Sequence, residues 1–390
     1  MKLACVVHRF GADIAGGSEA HCRQVAERLA ARHDVTVLTT CARDHISWRN
    51  EHPEGLSSLG ALEVRRFAVA RPRSLHRFAE ASEVAFSGSA SERQQEDWFA
   101  ENGPDVPGLL RHLSDDGHRY DAILFWAFRY AEVYFGLPLV QDRAVLVPTA
   151  EDDPVMRMPI VAPFFARARG LIYLTPEEQA LVERRLADPP PSIVIGSGLE
   201  PAPARSPRSL SELGVRAPFI LYLGRIDPNK GCGDLFRHFM RYADELNGSL
   251  QLVLAGPASM PIPEHRAIRS LGFVDDATRE ALLEQAVLLA MPSRYESLSL
   301  VLLEAWNHGL PALVNGRCAV LKGQALRANG ALYYRNYDEF ARGLSRLTGD
   351  PDLARQLGRQ GLAYVEREYR WPIVIGKIED LLQRAVRRSA

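Results

Sequence analysis

The 390-residue chain carries 47 Lys and Arg residues against 48 Asp and Glu residues, a net charge of -1, and 46% of its residues are hydrophobic. A chain of this length exceeds one ordinary hydrophobic core, so we expect a soluble globular protein of two domains. The near-neutral charge argues against nucleic acid as the main partner.

The cysteines and the apolar segments narrow the class further. The five cysteines are scattered, with no C-x-x-C pair and no histidine cluster beside them, so we predict neither a disulfide framework nor a metal site. The first apolar run, residues 3–7, is too short for a signal peptide, and no segment has the length of a membrane span. We therefore expect a cytoplasmic protein. Arg384, Arg387 and Arg388 leave open a peripheral contact with the inner face of a membrane, although a solvated helix end explains them more simply.

A β-α-β unit opens the chain. Residues 3–7 predict a strand, residues 18–32 a helix with one apolar face, and residues 35–39 the next strand. The loop after the first strand contains Gly16 and Gly17, which is typical of a parallel, doubly wound sheet. The G-x-G-x-x-G spacing is missing, so the loop does not carry a dinucleotide fingerprint.

A polar stretch and a buried strand follow. Residues 71–107 have little periodicity and predict a long loop with short helices, either functional or disordered, of which we favour the first. Residues 122–128 predict a strand. Tyr130, Tyr134 and Phe135 after it either line a binding pocket or, as we favour, pack in the core.

Acidic residues follow the next strand, residues 144–147. Glu151, Asp152 and Asp153 stand at its carboxyl end, where open α/β sheets place their ligands. A solvated acidic loop is an equally good interpretation. Residues 171–175, 176–186 and 193–195 then predict strand, helix and strand.

The Gly- and Pro-rich residues 196–207 predict a linker, after which a second α/β series begins. This series comprises strands at 219–223, 250–255, 287–291 and 311–314, helices at 233–246 and 276–286, a short segment at 272–274, and helices to the end. Two similar halves predict two Rossmann-like domains facing across a cleft. We expect a first domain over 1–198, a linker over 199–216, a second domain over 217–370, and a helix over 371–390 that crosses back to the first domain.

The turn after the strand at 287–291 predicts an anion site. Pro292 breaks the strand, and apolar spacing from Leu298 onward predicts a helix. Backbone amides from Ser297 to Leu300 would lack helical acceptors there, which favours an anion. Glu296 and Glu304 flank this helix start. Unless they are simply solvated, they favour a ligand that carries hydroxyl groups as well as phosphate.

Two cations follow the strand at 219–223. Gly224 allows a ligand to approach closely, and Arg225 and Lys230 are presented on one loop. At the ligand end of the sheet they would neutralise a diphosphate, whereas elsewhere they would be ordinary surface charges.

These motifs resemble those of the retaining GT-B glycosyltransferases of family 4. The resemblance rests on G-R-x-D-x-x-K-G from Gly224, E-x7-E from Glu296, the first glycine-rich loop from Ala15, and the stretch 194–200. It covers nearly the whole chain. It implies a GT-B fold of two Rossmann-like domains with a nucleotide sugar in the cleft.

The resemblance also implies roles for individual residues. Arg225 and Lys230 would hold the diphosphate, Glu304 the ribose, and Glu296 the donor sugar. The remaining donor contacts are assigned to backbone or to small segments: the distal phosphate to Gly16, Gly17, Ser297, Leu298, Ser299 and Leu300, and the base to Gly272, Phe273 and Val274.

This sequence departs from the family pattern at two places. Ser297-Leu298-Ser299-Leu300 stands where the family usually has Gly-Phe-Gly-Leu, which narrows the sugar pocket. Glu151-Asp152 stands where a His-Asp or His-Glu pair is common, and either acid could take the role of the histidine.

The function implied is a metal-independent hexosyltransferase that retains the anomeric configuration, with a UDP- or GDP-sugar as donor and no permanently bound cofactor. The acceptor would be a saccharide, a lipid-linked sugar or a small molecule, as in polysaccharide biosynthesis. The alternatives are a GT-B phosphorylase, which would need pyridoxal phosphate, and a sugar-nucleotide-binding protein without catalysis.

Overall fold

The computed structural model describes residues 1–14, 16–203, 209–246 and 249–387. The chain divides into two compact units, one of residues 1–196 together with those from Val374 onward, the other of Ser197–Ile373. Ala15 of the first glycine loop, residues 204–208 of the expected linker, and residues 388–390 of the expected last helix, among them Arg388, lie outside the described residues.

The first unit is built on an eight-stranded sheet. Its strands are β1 (Lys2–Val6), β2 (Asp34–Thr40), β3 (Gly55–Leu59), β4 (Leu62–Phe67), β5 (Ala122–Trp126), β6 (Ala144–Val147), β7 (Gly170–Tyr173) and β8 (Ser192–Val194). The order is β3-β4-β2-β1-β5-β6-β7-β8. Every pair is parallel except β3 with β4. The central strands are buried on both faces, which is why they read as continuous apolar runs.

Seven helices and most of the last helix surround this sheet in the described part of the unit. They are α1 (Gly17–Leu29), α2 (Leu75–Ala85), α3 (Glu92–Asn102), α4 (Pro107–Asp116), α5 (Ala131–Gly136), α6 (Val161–Ala166), α7 (Pro176–Glu183) and, at the end of the chain, α14 (Trp371–Arg387).

The second unit carries a six-stranded, all-parallel sheet. Its strands are β9 (Phe219–Leu223), β10 (Gln251–Ala255), β11 (Ile268–Ser270), β12 (Leu288–Met291), β13 (Ala312–Asn315) and β14 (Ala331–Tyr334), in the order β11-β10-β9-β12-β13-β14. The helices are α8 (Cys232–Leu246), α9 (Asp276–Gln285), α10 (Leu300–Asn307), α11 (Ala319–Ala328), α12 (Tyr337–Gly349) and α13 (Pro351–Glu368). Among the described residues, no helix combines the length and the apolar character that a membrane crossing requires.

Several predicted elements are wrong. Residues 71–107, predicted as a long loop with short helices, are largely helical, because α2 and α3 have 11 residues each and bury Trp98 against Phe78 and Phe86. The short segment at 272–274 is a loop, and it follows the unpredicted short strand β11, which ends at Ser270. Only helices were predicted after β13, so β14 was missed. The antiparallel hairpin of β3 and β4, earlier in the chain, was not predicted either.

The aromatic residues after β5 pack against the core, as favoured from the sequence. Tyr130, Tyr134 and Phe135 are partly buried against the apolar cluster of the first unit. Tyr134 stacks on Phe99 with ring centroids 3.9 Å apart. Their burial follows from the position of α5 directly after a fully buried strand.

Close packing fixes α10 in the second unit. A Cβ atom built on Gly358 of α13 would lie 1.8 Å from the carbonyl oxygen of Gly309, just beyond the end of α10. Trp306 of α10 donates to the carbonyl of Gly330 over 2.8 Å. The backbone of α13 at Gly358 therefore packs directly against the backbone at Gly309, which follows α10.

We predict that Gly358→Ala destabilises the protein by roughly 1–3 kcal/mol, because neither backbone can yield to the new methyl group. The matched control is Gly376→Ala, since a Cβ there meets nothing within 4 Å in α14. We expect the control to be neutral or to stabilise by about 0.5–1 kcal/mol. Urea unfolding of both variants checks the prediction, and equal effects would contradict it.

Candidate functional site

Three loops of the second unit converge at the carboxyl edge of its sheet. β9 lies between β10 and β12, so the loops that follow these strands are neighbours. A Cβ atom on Gly231 would lie 2.3 Å from the carbonyl oxygen of Pro292, and one on Gly256 would lie 2.0 Å from that of Gly224. Gly231, at φ +73°, also has a backbone that favours glycine. These glycines let the three loops touch.

Lys230 and Glu296 form the centre of this edge. The ammonium group of Lys230 lies 2.9 Å from Oε1 of Glu296, so the loop after β9 is joined to the turn after β12. The Glu296 side chain is 10% exposed and that of Lys230 is 36% exposed. The carboxylate is thus oriented by a cation that retains access to solvent.

Arg225 is presented by the same loop. Its Nε lies 3.4 Å from Oδ2 of Asp227, and the Arg225 side chain is 59% exposed. Asp227 also accepts from the amide of Asn229 over 2.8 Å, which caps the turn Pro228–Lys230. That hydrogen bond is the main reason why the pKa of Asp227 is lowered. Asp227 therefore shapes the loop that carries both predicted cations.

The helix after Glu296 begins two residues later than predicted. α10 starts at Leu300, and Ser299 is its N-cap, whose hydroxyl accepts from the amide of Leu302 over 3.4 Å. Leu298 precedes the helix and is buried. The amides of Ser297 and Leu298 precede the helix, and that of Leu300 lies in its first turn, where no intrahelical acceptor is available.

Glu304 of α10 is held by a residue that the sequence did not reveal. Arg279 of α9 donates to its Oε1 over 2.9 Å. Burial raises the pKa of Glu304, although the arginine opposes this shift. The partner is 25 residues away in the chain, so local spacing carries no signal for it.

Phe273 is exposed at the same edge. Its preceding residue, Gly272, has φ +64° and accepts from the amide of Gly256 over 2.7 Å. The Phe273 ring is 85% exposed, which is unusual for a large apolar side chain. An aromatic face of this kind suits stacking against a planar group.

In the first unit, the loop after β1 builds a buried charged cluster. Glu19, in the first turn of α1, lies 2.9 Å from Nε2 of His8 and also bonds Arg9. Burial opposes ionisation of Glu19, but His8 and Arg9 outweigh it and lower its pKa. Gly16 is the N-cap of α1 and Gly17 its first residue, so these glycines lie beside the cluster.

The acidic residues after β6 have separate roles. Asp152 is exposed and lies 3.5 Å from Arg157, whereas Asp153 bonds Arg129 over 2.7 Å. Glu151 is half-buried, and its carbonyl accepts from the amide of Asp153. The family resemblance expects a histidine at the position of Glu151 or Asp152. The structure leaves open which of the two acids takes its role.

A buried carboxyl group fixes this segment. Glu178 of α7 accepts from the amides of Ala150 and Leu174, each over 2.7 Å. Thr149, the residue before Ala150, adopts φ +52°, a left-handed backbone that is uncommon for a β-branched residue. Glu178 thus holds a strained strand end in place. Burial raises its pKa to about 7.

The family comparison matches the unit that contains Arg225, Lys230, Glu296 and Glu304. Residues 217–350 match a family model described as glycosyl transferases group 1. An uncharacterized glycosyltransferase from Methanocaldococcus jannaschii is 27% identical over 162 residues, which are 39% of this chain. The match spans 41% of the length of that relative.

Solved structures resemble the chain over its whole length. Sucrose-phosphate synthase from Thermosynechococcus elongatus has a TM-score of 0.72 at 17% identity, covering 100% of both chains. Anabaena HepE, in complex with UDP and glucose, has a TM-score of 0.69 at 14% identity, covering 98% of this chain and 99% of that one.

These likenesses confirm the two-domain GT-B fold that the motifs predicted. Residues 217–350 are similar to the group 1 glycosyltransferase domain, and the matches together support a transferase enzyme.

The raised pKa of Glu178 predicts a pH-dependent stability. Its pKa of about 7 in the folded state exceeds the ordinary value of 4.5. Between these values the folded state binds more protons than the unfolded state, so the contribution of Glu178 is full below pH 4.5 and is lost as the pH rises through 7. From pH 5 to pH 8, we expect wild type to lose about 2–3 kcal/mol more unfolding free energy than Glu178→Gln.

Guanidinium unfolding at both pH values measures this difference. The control is Glu177→Gln, a half-buried neighbour in the same helix, whose profile should follow that of wild type. Parallel profiles of wild type and Glu178→Gln would show that Glu178 does not titrate in this window.

Proposed function

We propose that this protein transfers a hexose from a nucleoside diphosphate sugar to an acceptor hydroxyl, with retention of anomeric configuration and without a metal ion. The observation that carries the proposal is the pairing of Lys230 with Glu296 across adjacent strand ends, beside the exposed Arg225. Two cations and an oriented carboxylate at one edge match the phosphate and hydroxyl groups of such a donor.

The proposed role of the cations is to stabilise the leaving diphosphate. Cleavage of the sugar–phosphate bond leaves negative charge on the diphosphate, and Arg225 and Lys230 would lie where that charge develops. Arg225 is free to adjust, because more than half of its side chain is exposed. Lys230 would exchange part of its contact with Glu296 for the phosphate.

The carboxylates would bind hydroxyl groups. Glu296 is assigned to the donor sugar, where the contact with Lys230 orients its carboxylate. Glu304 is assigned to the ribose, and Arg279 would hold its carboxylate in place from behind. The exposed ring of Phe273, with Gly272 and Val274, is assigned to the base. The amides of Ser297, Leu298, Ser299 and Leu300 are assigned to the distal phosphate, as are Gly16 and Gly17 of the first unit.

The chemistry requires a base for the acceptor hydroxyl. In a front-face reaction the leaving phosphate oxygen takes that proton, so the new bond forms on the face from which the diphosphate departs, and configuration is retained. Glu151 or Asp152 would stabilise the positive charge at the anomeric carbon, in place of the histidine that the family resemblance leads one to expect. We favour UDP as the nucleotide, because HepE is described in complex with UDP. The acceptor is proposed to be a saccharide, lipid-linked sugar or small molecule.

Nucleotide binding tests this proposal. We expect one of UDP, GDP, ADP and dTDP to raise the melting temperature of wild type, since a ligand at 100 times its dissociation constant stabilises by about 2.7 kcal/mol. Arg225→Ala and Lys230→Ala should each weaken binding by about tenfold or more, because each removes a charge-assisted contact.

Arg359→Ala is the matched control, an exposed arginine of α13 in the same unit. Its nucleotide shift should equal that of wild type. If none of the four nucleotides shifts the melting temperature, or if all three variants respond alike, the diphosphate role of Arg225 and Lys230 is wrong. If a nucleotide binds as expected, an assay for the release of UDP from UDP-glucose distinguishes an enzyme that turns over its donor from a protein that only binds it.

A further inference from the structure

A second group of basic residues in the second unit does not include Arg225 or Lys230. A cavity of about 330 Å³ in the second unit is lined by Arg237, Arg294, Arg317, Arg335 and His238. This volume is within the roughly 300–1,000 Å³ of small-molecule pockets. We refer to it as the arginine cavity. Four guanidinium groups around one space are unusual, because like charges repel unless an anion is present.

The charges of the arginine cavity are not balanced by its own acid. Asp234, the single carboxylate in the described lining, lies 2.6 Å from Arg294 and also bonds Arg237. Arg317 and Arg335 form no ion pair with any carboxylate in the described part of the chain. Two of the four arginines therefore have no carboxylate partner, and with four arginines and one aspartate the described lining carries a net charge of about +3.

The backbone around these two arginines is fixed. The amide of Arg317 is held by Oδ1 of Asn315 over 3.0 Å, and Asn315 in turn bonds the carbonyl of Pro292. The amide of Arg335 is held by Oε2 of Glu339 over 2.7 Å. Both side chains thus extend from backbone that is already fixed at the strand ends. Less backbone conformational entropy is therefore lost when the two guanidinium groups bind a ligand.

The arginine cavity is distinct from the proposed diphosphate site. The cavity is lined by residues that follow β13 and β14, by Arg294 of the turn after β12, and by residues of α8. It therefore adjoins the proposed diphosphate site, on the side of the sheet opposite to the 272–274 loop. None of Arg225, Lys230, Glu296 and Glu304 lines it. An anion bound there would be a second ligand group, not the leaving diphosphate.

We propose that the arginine cavity binds the phosphate group of a second small molecule. The planar fork of arginine matches phosphate oxygens in a bidentate manner, and two unpaired forks match the two charges of a phosphate dianion. Asn336 and Tyr337 also line the cavity. The Tyr337 hydroxyl donates to Glu245 and the Asn336 oxygen accepts from the amide of Glu339, so the amide nitrogen of Asn336 is the group that can donate to a ligand hydroxyl. The source of the group is inorganic phosphate or a phosphomonoester such as a hexose phosphate.

Calorimetric titration with inorganic phosphate and with glucose 6-phosphate tests this inference. At least one of the two should bind wild type saturably, and more weakly as salt rises. Tighter binding of glucose 6-phosphate identifies a phosphomonoester site, and equal affinity identifies a site for phosphate alone. Arg317→Gln/Arg335→Gln should weaken binding about tenfold or more. Because both side chains are exposed, we expect this variant to fold. If it does not fold, each single variant takes its place, and each should weaken binding about threefold or more.

Two control variants test whether phosphate binding is specific to the arginine cavity. Arg355→Gln removes an exposed arginine that pairs with Asp352 on α13, and it should bind like wild type. Lys230→Ala should also bind phosphate normally, whatever its effect on UDP, so failure of the proposed function leaves this test intact. The inference is overturned if neither probe binds, if the double variant binds as well as wild type, or if Lys230→Ala abolishes binding.

Discussion

The second unit depends on close backbone contacts among the loops after β9, β10 and β12, and only glycine residues permit these contacts. Gly231 lies against Pro292, and Gly256 lies against Gly224, at distances that leave no room for a Cβ atom. These contacts draw the ends of β9, β10 and β12 together, and they bring Lys230 within 2.9 Å of Glu296. The polar edge of the sheet therefore follows from backbone packing first and from charge second.

Each carboxylate at this edge is already joined to a cation. Glu296 is held by Lys230, Glu304 by Arg279, and Asp227 by Arg225. Carboxylates near an anionic ligand would otherwise repel it, whereas a paired carboxylate keeps its oxygens oriented with little net charge. Acidic and basic residues could in this way serve one ligand that carries both phosphate and hydroxyl groups. The first unit uses the same principle where Glu19 is joined to His8 and Arg9.

The sequence predicted the parts of the fold that local periodicity encodes. β9 and β12 are continuous apolar runs, and the spacing of Val301, Leu302 and Ala305 predicted α10 to within two residues. Arg225 and Lys230 could be placed on one loop because turn residues separate them. Arg279 and Glu178 could not be found, since Arg279 bonds Glu304, 25 residues away, and Glu178 bonds Ala150, 28 residues away, as well as the nearby Leu174. The bounds of α3 could not be predicted because it lacks an apolar stripe, although its capping box, Ser91 with Gln94, was a signal in the sequence.

A crystal structure of the protein with UDP would locate the diphosphate itself, and it is therefore the decisive measurement for the proposed donor site. We expect diphosphate oxygens within hydrogen-bond distance of the guanidinium of Arg225 and the ammonium of Lys230, with a ribose hydroxyl on Glu304. We also expect UDP to leave the arginine cavity open. Diphosphate bound in that cavity, or anywhere away from the loop after β9, would contradict the assignment of Arg225 and Lys230.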